Sequence, residues 1–287
     1  MSYELLSMKS IAKQLNDVTF TDYYYRLMLI ARSRFKWNNL PNGIDEKWIE
    51  KYLFSEGECM FYKDPNKGFM VAKCTPAGTL NYYDEPTILR PYGTNYTGEP
   101  LENNEECVLI RNNDVSFPTS QTIQLYAYRL AEISRTIDIN INGQKTPVMI
   151  LCSDKQKRSM KILFNQMNGF EPVIYGDKNM DIENIKALKT ETPIVFDKLQ
   201  IQKHAVWNEV MTFLGINNAN MDKKERLVDD EVQANNEQVE MSGSVMLKAR
   251  EQACKQINKL FGLNISVELR QMDVPTLEEI DKELEVV

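Results

Sequence analysis

His204 is the only histidine in the chain, and it shares a short stretch with Trp207 and Glu209. One imidazole cannot assemble a three-histidine zinc site, nor does it provide both a base and a separate shuttle for hydrolysis. Cys59, Cys74, Cys107, Cys152 and Cys254 are odd in number, well separated and without a C-x-x-C pair. That pattern predicts free, buried thiols in a reducing compartment, not a disulfide or metal framework. The closest approach to a phosphate loop is Gly143-Gln144-Lys145-Thr146, but Asp138 stands where the upstream glycine would be needed and Gln144, not glycine, is adjacent to the lysine. Asp229, Asp230 and Glu231 are adjacent in sequence, not spaced as a metal-binding constellation, so they read as a solvated acidic run. No nucleophile elbow, zinc-protease, dinucleotide-binding or calcium-loop string occurs. The expectation is a chain that is not an enzyme and takes no cofactor or metal.

The elements that would position these residues follow from hydrophobic spacing. Thr21 to Trp37 reads as a helix, and a shorter one is expected from Ile44 to Phe54 after the Pro41-Asn42-Gly43 turn. Short apolar runs at Cys59 to Tyr62, Phe69 to Cys74 and Cys107 to Ile110, separated by proline and glycine turns, predict antiparallel strands. A long helix is expected from Thr119 to Asn142, with Ile123, Ala127, Leu130, Ile137 and Ile141 recurring along it; 24 residues would span about 36 Å. Thr146 to Phe196 reads as a small αβ insert. Its expected elements are strand Pro147 to Cys152, helix Lys155 to Met167, strand Pro172 to Tyr175, helix Ile182 to Leu188 and strand Pro193 to Phe196. A second long helix then runs from Lys198 to Leu214 and stops at Gly215.

Asn217 to Met241 is nearly free of large apolar residues and sets seven acids against Lys223, Lys224 and Arg226, so it reads as a long polar loop. A last helix, Val245 to Phe261, precedes a strand carrying Ile265, Val267 and Leu269, and an acidic segment follows Pro275. The 287 residues carry a net charge of −7. That balance disfavours tight whole-surface binding to a polyanion, which depends on clustered Lys and Arg. Neither a secretion signal nor a membrane span is expected, and no membrane partner.

Several strings together resemble the portal, or upper collar head-tail connector, of small protein-primed podophages of the phi-29-like kind. They are Lys198-Leu199 through Gln202-Lys203, Ala205-Val206-Trp207-Asn208-Glu209, Met211-Thr212-Phe213-Leu214-Gly215-Ile216, Asn218-Ala219-Asn220 and Lys223-Lys224-Glu225-Arg226. Asn39-Leu40-Pro41, Phe61-Tyr62-Lys63-Asp64-Pro65, Asn112-Asn113-Asp114 with Phe117-Pro118-Thr119, and Lys145-Thr146-Pro147-Val148 agree as well.

The resemblance implies a mainly α fold with α+β parts: long stem helices, an αβ clip insert, a small β-rich wing and a helical crown, assembled as a ring. It would divide the chain into an N-terminal arm (1–20), first helix and wing (21–118), stem helix (119–145), clip (146–196), stem helix (197–215), channel loop (216–241), crown helix and wing strand (242–271) and acidic C-terminal tail (272–287). By similarity, twelve copies would surround a channel for double-stranded DNA at one capsid vertex, in a virion built in the bacterial host cytoplasm. The implied partners are major capsid and scaffolding proteins, a packaging ATPase, and lower collar or tail proteins. Lys189, Lys198, Lys223, Lys224 and Arg226 would contact DNA in the channel, and Trp207 and Phe213 would be packing anchors of the subunit. Relatives can carry a strongly basic N-terminal arm, whereas Met1 to Asn16 holds only Lys9 and Lys13 as bases, so a packaging-RNA partner lacks sequence support. Two rival readings are a DNA-binding regulator using residues 223–226 and a nucleotide-dependent motor subunit.

Overall fold

A computed structural model describes residues 8–144, 148–150, 185–187, 193–217 and 229–270, with side chains for 14–141, 193–217 and 237–270. The chain divides into two compact units, one built from Met1–Ala131 with His204–Val287 and the other from Glu132–Lys203.

In the first unit, helix α1 spans Met8–Arg32, with Arg32 in its last turn where the helix dipole favours a cation. It therefore starts well before Thr21 and stops before Trp37, a correction at both ends. Phe35–Asn38 form strand β1 instead, paired antiparallel with β10 (Ser266–Leu269), Trp37 opposite Val267. Phe35 and Trp37 face the core while Lys36 faces water, a period of two that local helical spacing had masked.

Helix α2 (Glu46–Ser55) begins where the Asp45 side chain accepts a hydrogen bond from the Lys47 amide at 2.9 Å, satisfying one of the open donors of the first turn. Its inner face, Ile49, Glu50, Leu53 and Phe54, is buried. Strands β2 (Glu58–Asp64), β3 (Gly68–Pro76), β4 (Ile88–Gly93), β5 (Tyr96–Thr97), β6 (Leu101–Glu102) and β7 (Cys107–Arg111) form a six-stranded antiparallel sheet ordered β5-β4-β3-β2-β7, with β6 on β4. The apolar runs expected to be strands are β3, β2 and β7, three consecutive members with β7 at the edge. β2 and β7 are buried on both faces, so they read as continuous apolar runs rather than as alternation.

One sheet face holds Cys59, Phe61, Val108 and Ile110 against β1, α2 and helix α5 (Asp229–Phe261), and the other buries Met60, Tyr62, Leu89, Cys107 and Leu109. Cys59, Cys74, Cys107 and Cys254 are free thiols, and burial pushes Cys107 and Cys254 up to about 12. Cys152 lies outside the described residues.

α5 carries a second correction. The polar stretch expected to be a loop up to Met241 is helical from Asp229 onward. Asp229, Asp230 and Glu231 stand at the positive end of the helix dipole, and Glu, Gln and Ala that follow are good helix formers, so no apolar stripe is needed to start the helix. The helix ends at Phe261, where Gly262 takes φ +66° and its amide bonds to Asn258 O at 3.0 Å.

Helix α3 (Thr119–Gln144) agrees closely with the expected span, and helix α4 (Phe196–Phe213) opens two residues before the expected Lys198. In the second unit, β8 (Val148–Ile150) pairs antiparallel with β9 (Ile185–Ala187). The helix expected over Ile182 to Leu188 is thus a strand across Ile185–Ala187, because pairing to β8 overrides its weak local helical spacing. Residues 193–195 are irregular and Phe196 already belongs to α4, so the expected strand Pro193 to Phe196 does not form. The helix and strand expected over Lys155 to Tyr175 lie outside the described residues.

Candidate functional site

Three of the candidate residues, Lys198, Trp207 and Phe213, lie on α4, and α3 packs against α4. Within the first unit, α3 buries Ile123, Ala127, Leu130 and Ala131, and α4 buries Val206, Val210 and Met211, followed by Leu214. The Tyr126 hydroxyl donates to Glu209 Oε1 at 2.8 Å, and its ring lies 6.4 Å from that of Phe213. Burial and the Glu209 carboxylate together push the Tyr126 phenol up to about 12, so it remains a donor across the physiological range. Phe213 is half-buried and packs against the main core of its own chain, while Trp207 is half-buried on the flank of α4.

The exit of α4 is fixed by backbone geometry. Gly215 adopts φ +69°, its amide bonds to Thr212 O at 3.0 Å, and the Ile216 amide bonds to Met211 O at 2.9 Å, a paired closure that only a residue tolerant of the left-handed region supports well. Gly215 and Gly243 of α5 touch backbone to backbone: a Cβ on Gly215 would lie 2.5 Å from the Gly243 Cα. Arg34, fully buried, donates to the Leu214 carbonyl and, at 2.8 Å, to Met246 Sδ. The end of α4 is therefore held by α5 and by Arg34 from the turn between α1 and β1. Beside it, an apolar groove of about 530 Å³ is lined by Val115, Phe117, Thr122, Phe213 and Val245.

Behind this exit lies a buried ionic cluster that the sequence reading missed. Arg250 donates to Glu50 Oε1 at 2.9 Å and Oε2 at 2.8 Å, and to the Asn112 side-chain and main-chain oxygens at 3.1 and 3.2 Å. Its guanidinium stacks 3.9 Å from the Phe35 ring centroid, and Glu50 also accepts from the Trp37 indole at 2.9 Å. The signal was present: Arg250 falls at helical spacing between Met246 and Cys254, on an otherwise apolar stripe.

Outward from these packed faces, large apolar side chains stand in water. On α1 these are Leu15, Val18, Tyr25 and Leu29, which recur at three to four residues or multiples of that spacing and so share one helix face. On α3, Leu125 and Tyr128 are more than half exposed. In the second unit the exposed set is Ile139, Ile141, Ile194, Phe196 and Ile201, the last at 71%. There Asn140 is buried and ties α3 to the approach of α4, donating to Pro193 O at 2.8 Å and accepting from the Val195 amide at 3.3 Å.

Of the residues expected to contact DNA, Lys198 sits exposed in the first turn of α4 beside Asp197. Lys189, Lys223, Lys224 and Arg226 lie outside the described residues. His204 is exposed on α4, and among the described residues no cluster of three or more histidine, cysteine or acidic side chains is arranged to hold a metal. Among the described residues, too, no helix is long and apolar enough to cross a membrane.

The fold is that of portal proteins. The structure described as "Portal and tail of native bacteriophage P68" superposes with a TM-score of 0.54 at 16% identity, covering 100% of this chain and 99% of that one. A chain of "Virion of native gene transfer agent (GTA) particle" gives a TM-score of 0.50 at 10% identity, covering 95% and 87%. A chain of "Neck of native GTA particle computed with C12 symmetry" gives the same score, identity and coverage. Residues 2–274 match the family model Phage Connector (GP10). Since that match spans almost the whole sequence, the chain belongs to the phage connector family.

Proposed function

We propose that this chain is the portal of a small podophage of the phi-29-like kind: one of twelve identical subunits closing a ring at a single capsid vertex. The ring is a passive conduit for double-stranded DNA during packaging and ejection, and a platform on which the packaging ATPase and the lower collar or tail proteins dock. The observation that carries the reading is the set of apolar side chains that α1, α3 and α4 leave in water after packing their other faces inside the chain. A head-to-tail interface repeated around an axis closes into a ring and buries such second faces without any further partner. Family membership, and the C12 symmetry applied to the GTA neck that shares this fold, support the same stoichiometry.

The charge balance fits a conduit better than a clamp. A net −7 per chain, repeated around a ring, surrounds the duplex with like charge and keeps sliding friction low. Lys198, together with Lys189, Lys223, Lys224 and Arg226, supplies sparse, salt-sensitive contacts that centre the duplex. Trp207 on the flank of α4 is assigned to subunit packing, and Phe213 to holding α4 against Tyr126 behind it. The test is particle mass and shape: native mass spectrometry with negative-stain imaging should find annular particles of about a dozen subunits, following the closed-ring argument. A chain that stays monomeric at all concentrations and in assembling heads overturns the reading.

A further inference from the structure

The outer face of α2 stands apart from the acidic balance of the chain. Lys47, Trp48 and Lys51 are exposed and Tyr52 is half-buried beside them, while the opposite face of the same helix is packed into the core. The Lys47 and Lys51 ammonium groups lie 5.3 and 5.4 Å from the Trp48 ring, and Lys51 also lies 5.9 Å from Tyr52. Lys47 is paired with Asp45 at 2.8 Å. Lys51 forms no ion pair among the described residues, and the Nε of Arg32, whose Nη2 donates to Lys47 O at 3.2 Å, has no partner among them either. The result is a cationic, aromatic surface on a chain of net negative charge.

The described residues end beside the turn between α1 and β1, with one side chain reaching the first residue of α2. Arg270, the residue after β10, is clamped by its amide to Arg34 O at 2.7 Å, by Nε to Ser33 O at 3.0 Å, and by Nη2 to Glu46 Oε1 at 2.5 Å. Glu46 is the first residue of α2 and immediately precedes Lys47. The sequence that follows is complementary to the α2 face. After Pro275 come Glu278, Glu279, Asp281, Glu283 and Glu285 against a single Lys282, with Leu277, Ile280, Leu284 and Val287 recurring every three to four residues.

We propose that residues 275–287 dock, within their own chain, across the Lys47, Trp48, Lys51 and Tyr52 face of α2. The acids meet the two lysines, and the apolar positions cover Trp48 and Tyr52. Reach favours the same chain. Residues 271–274 extended span about 14 Å at most, whereas Lys47 to Lys51 covers only about 6 Å of helix. A tether this short also holds the segment at an effective concentration in the millimolar range, about what weak, exposed charge pairs need to be populated.

The test is zero-length carbodiimide crosslinking of the full chain, read by mass spectrometry on an equal mixture of isotopically labelled and unlabelled protein. The Lys36–Glu268 pair, 3.1 Å apart on β1 and β10, is an internal control that must link in every sample. We expect Lys51 or Lys47 joined to Glu278, Glu279, Asp281 or Glu283 of the same isotopic chain. That link should be lost, with the control unchanged, in a full-length variant carrying Glu278→Gln, Glu279→Gln, Asp281→Asn and Glu283→Gln. Trp48 should become more accessible to acrylamide quenching in that variant. The proposal is overturned if only the control links, or if the tail links predominantly join different isotopic chains. A single-stranded oligoribonucleotide that binds through Lys51 equally tightly with the tail acids present or neutralised would make the face a nucleic-acid site and overturn it as well. None of these outcomes depends on ring closure, because the crosslink reads a contact within one chain.

Discussion

Arg250 and Glu50 are 1% and 3% exposed, so neither charge keeps much of its hydration, and what holds them is the bidentate pairing supplemented by Asn112, Trp37 and the Phe35 ring. Removing one member leaves the other buried and uncompensated. Arg250→Met should therefore cost about 3–5 kcal/mol, measured by urea denaturation, while the double variant Arg250→Met, Glu50→Leu should recover most of it because the desolvation penalty disappears with both charges. A double variant no more stable than Arg250→Met would show that the cluster is valued for something other than charge compensation. Arg34 is held differently. Burial lowers its pKa to about 9, helped by nearby Arg250 and opposed by Glu50, yet the side chain remains charged at neutral pH and ties Leu214 O to Met246. A milder case is Glu85, whose hydrogen bonds to Arg111 at 2.7 and 2.5 Å hold its carboxyl below the ordinary range. A lowered folded-state value means stability that is fully present above the unfolded carboxylate pKa and lost as pH falls through the folded one. Acidification should accordingly loosen the turn at Asn81–Glu85 before the core, seen as falling protection of the Tyr83 and Glu85 amides relative to their intrinsic exchange rates at each pH; Glu85→Gln should abolish that pH dependence.

Gly215 and Gly262 end α4 and α5 with nearly the same backbone, φ +69° and +66°, and differ in what surrounds them. Nothing lies within 4 Å of a Cβ on Gly262, whereas one on Gly215 would press on the Gly243 backbone at 2.5 Å. Gly262→Ala should thus cost about 1–2 kcal/mol, the left-handed penalty alone, and Gly215→Ala measurably more because neither backbone can yield cheaply. Equal losses in thermal melts of the two variants would remove the close approach from the account. The same elements show what local sequence could and could not carry. The stop at Gly215 and the start at Thr119 were legible because caps and glycines act within a few residues, while the second helix, expected from Ile44, begins at Glu46 behind the Asp45 cap. β1 was not, since its partner Ser266–Leu269 lies far along the chain and supplies the pairing that turns Phe35–Asn38 out of a helix. Nor was the polar first half of α5, where charge placement at the terminus does what an apolar stripe does elsewhere. Of the candidate contact residues, spacing could suggest Lys198 only as one exposed lysine among many, because a role in a bore depends on copies that one sequence does not contain.

At the scale of the assembly, the apolar side chains left in water and the lysines make separable demands. Leu125 and Tyr128 share a face of α3 and are 51% and 57% exposed, so replacing them alters little of the chain's own core. Burying the exposed half of each against a neighbour contributes about 1 kcal/mol, and that contribution recurs at every interface of a closed ring. Leu125→Asp with Tyr128→Asp should therefore yield folded monomers, with an unchanged urea midpoint but no ring in sedimentation velocity. Rings that persist at wild-type concentration would place the interface on another face. On the proposed reading, the complementary variant, Lys189→Ala, Lys198→Ala, Lys223→Ala and Lys224→Ala, should close into normal rings while losing retention of packaged DNA, because each lysine would offer a weak contact to a phosphate and none would be needed to join subunits. Retention in the wild type should fall as salt rises, and the variant should show a shallower dependence, since fewer counterions are released on contact. If the lysine variant instead fails to assemble while any rings it forms hold DNA normally, those side chains belong to the interface and the bore is lined by other residues.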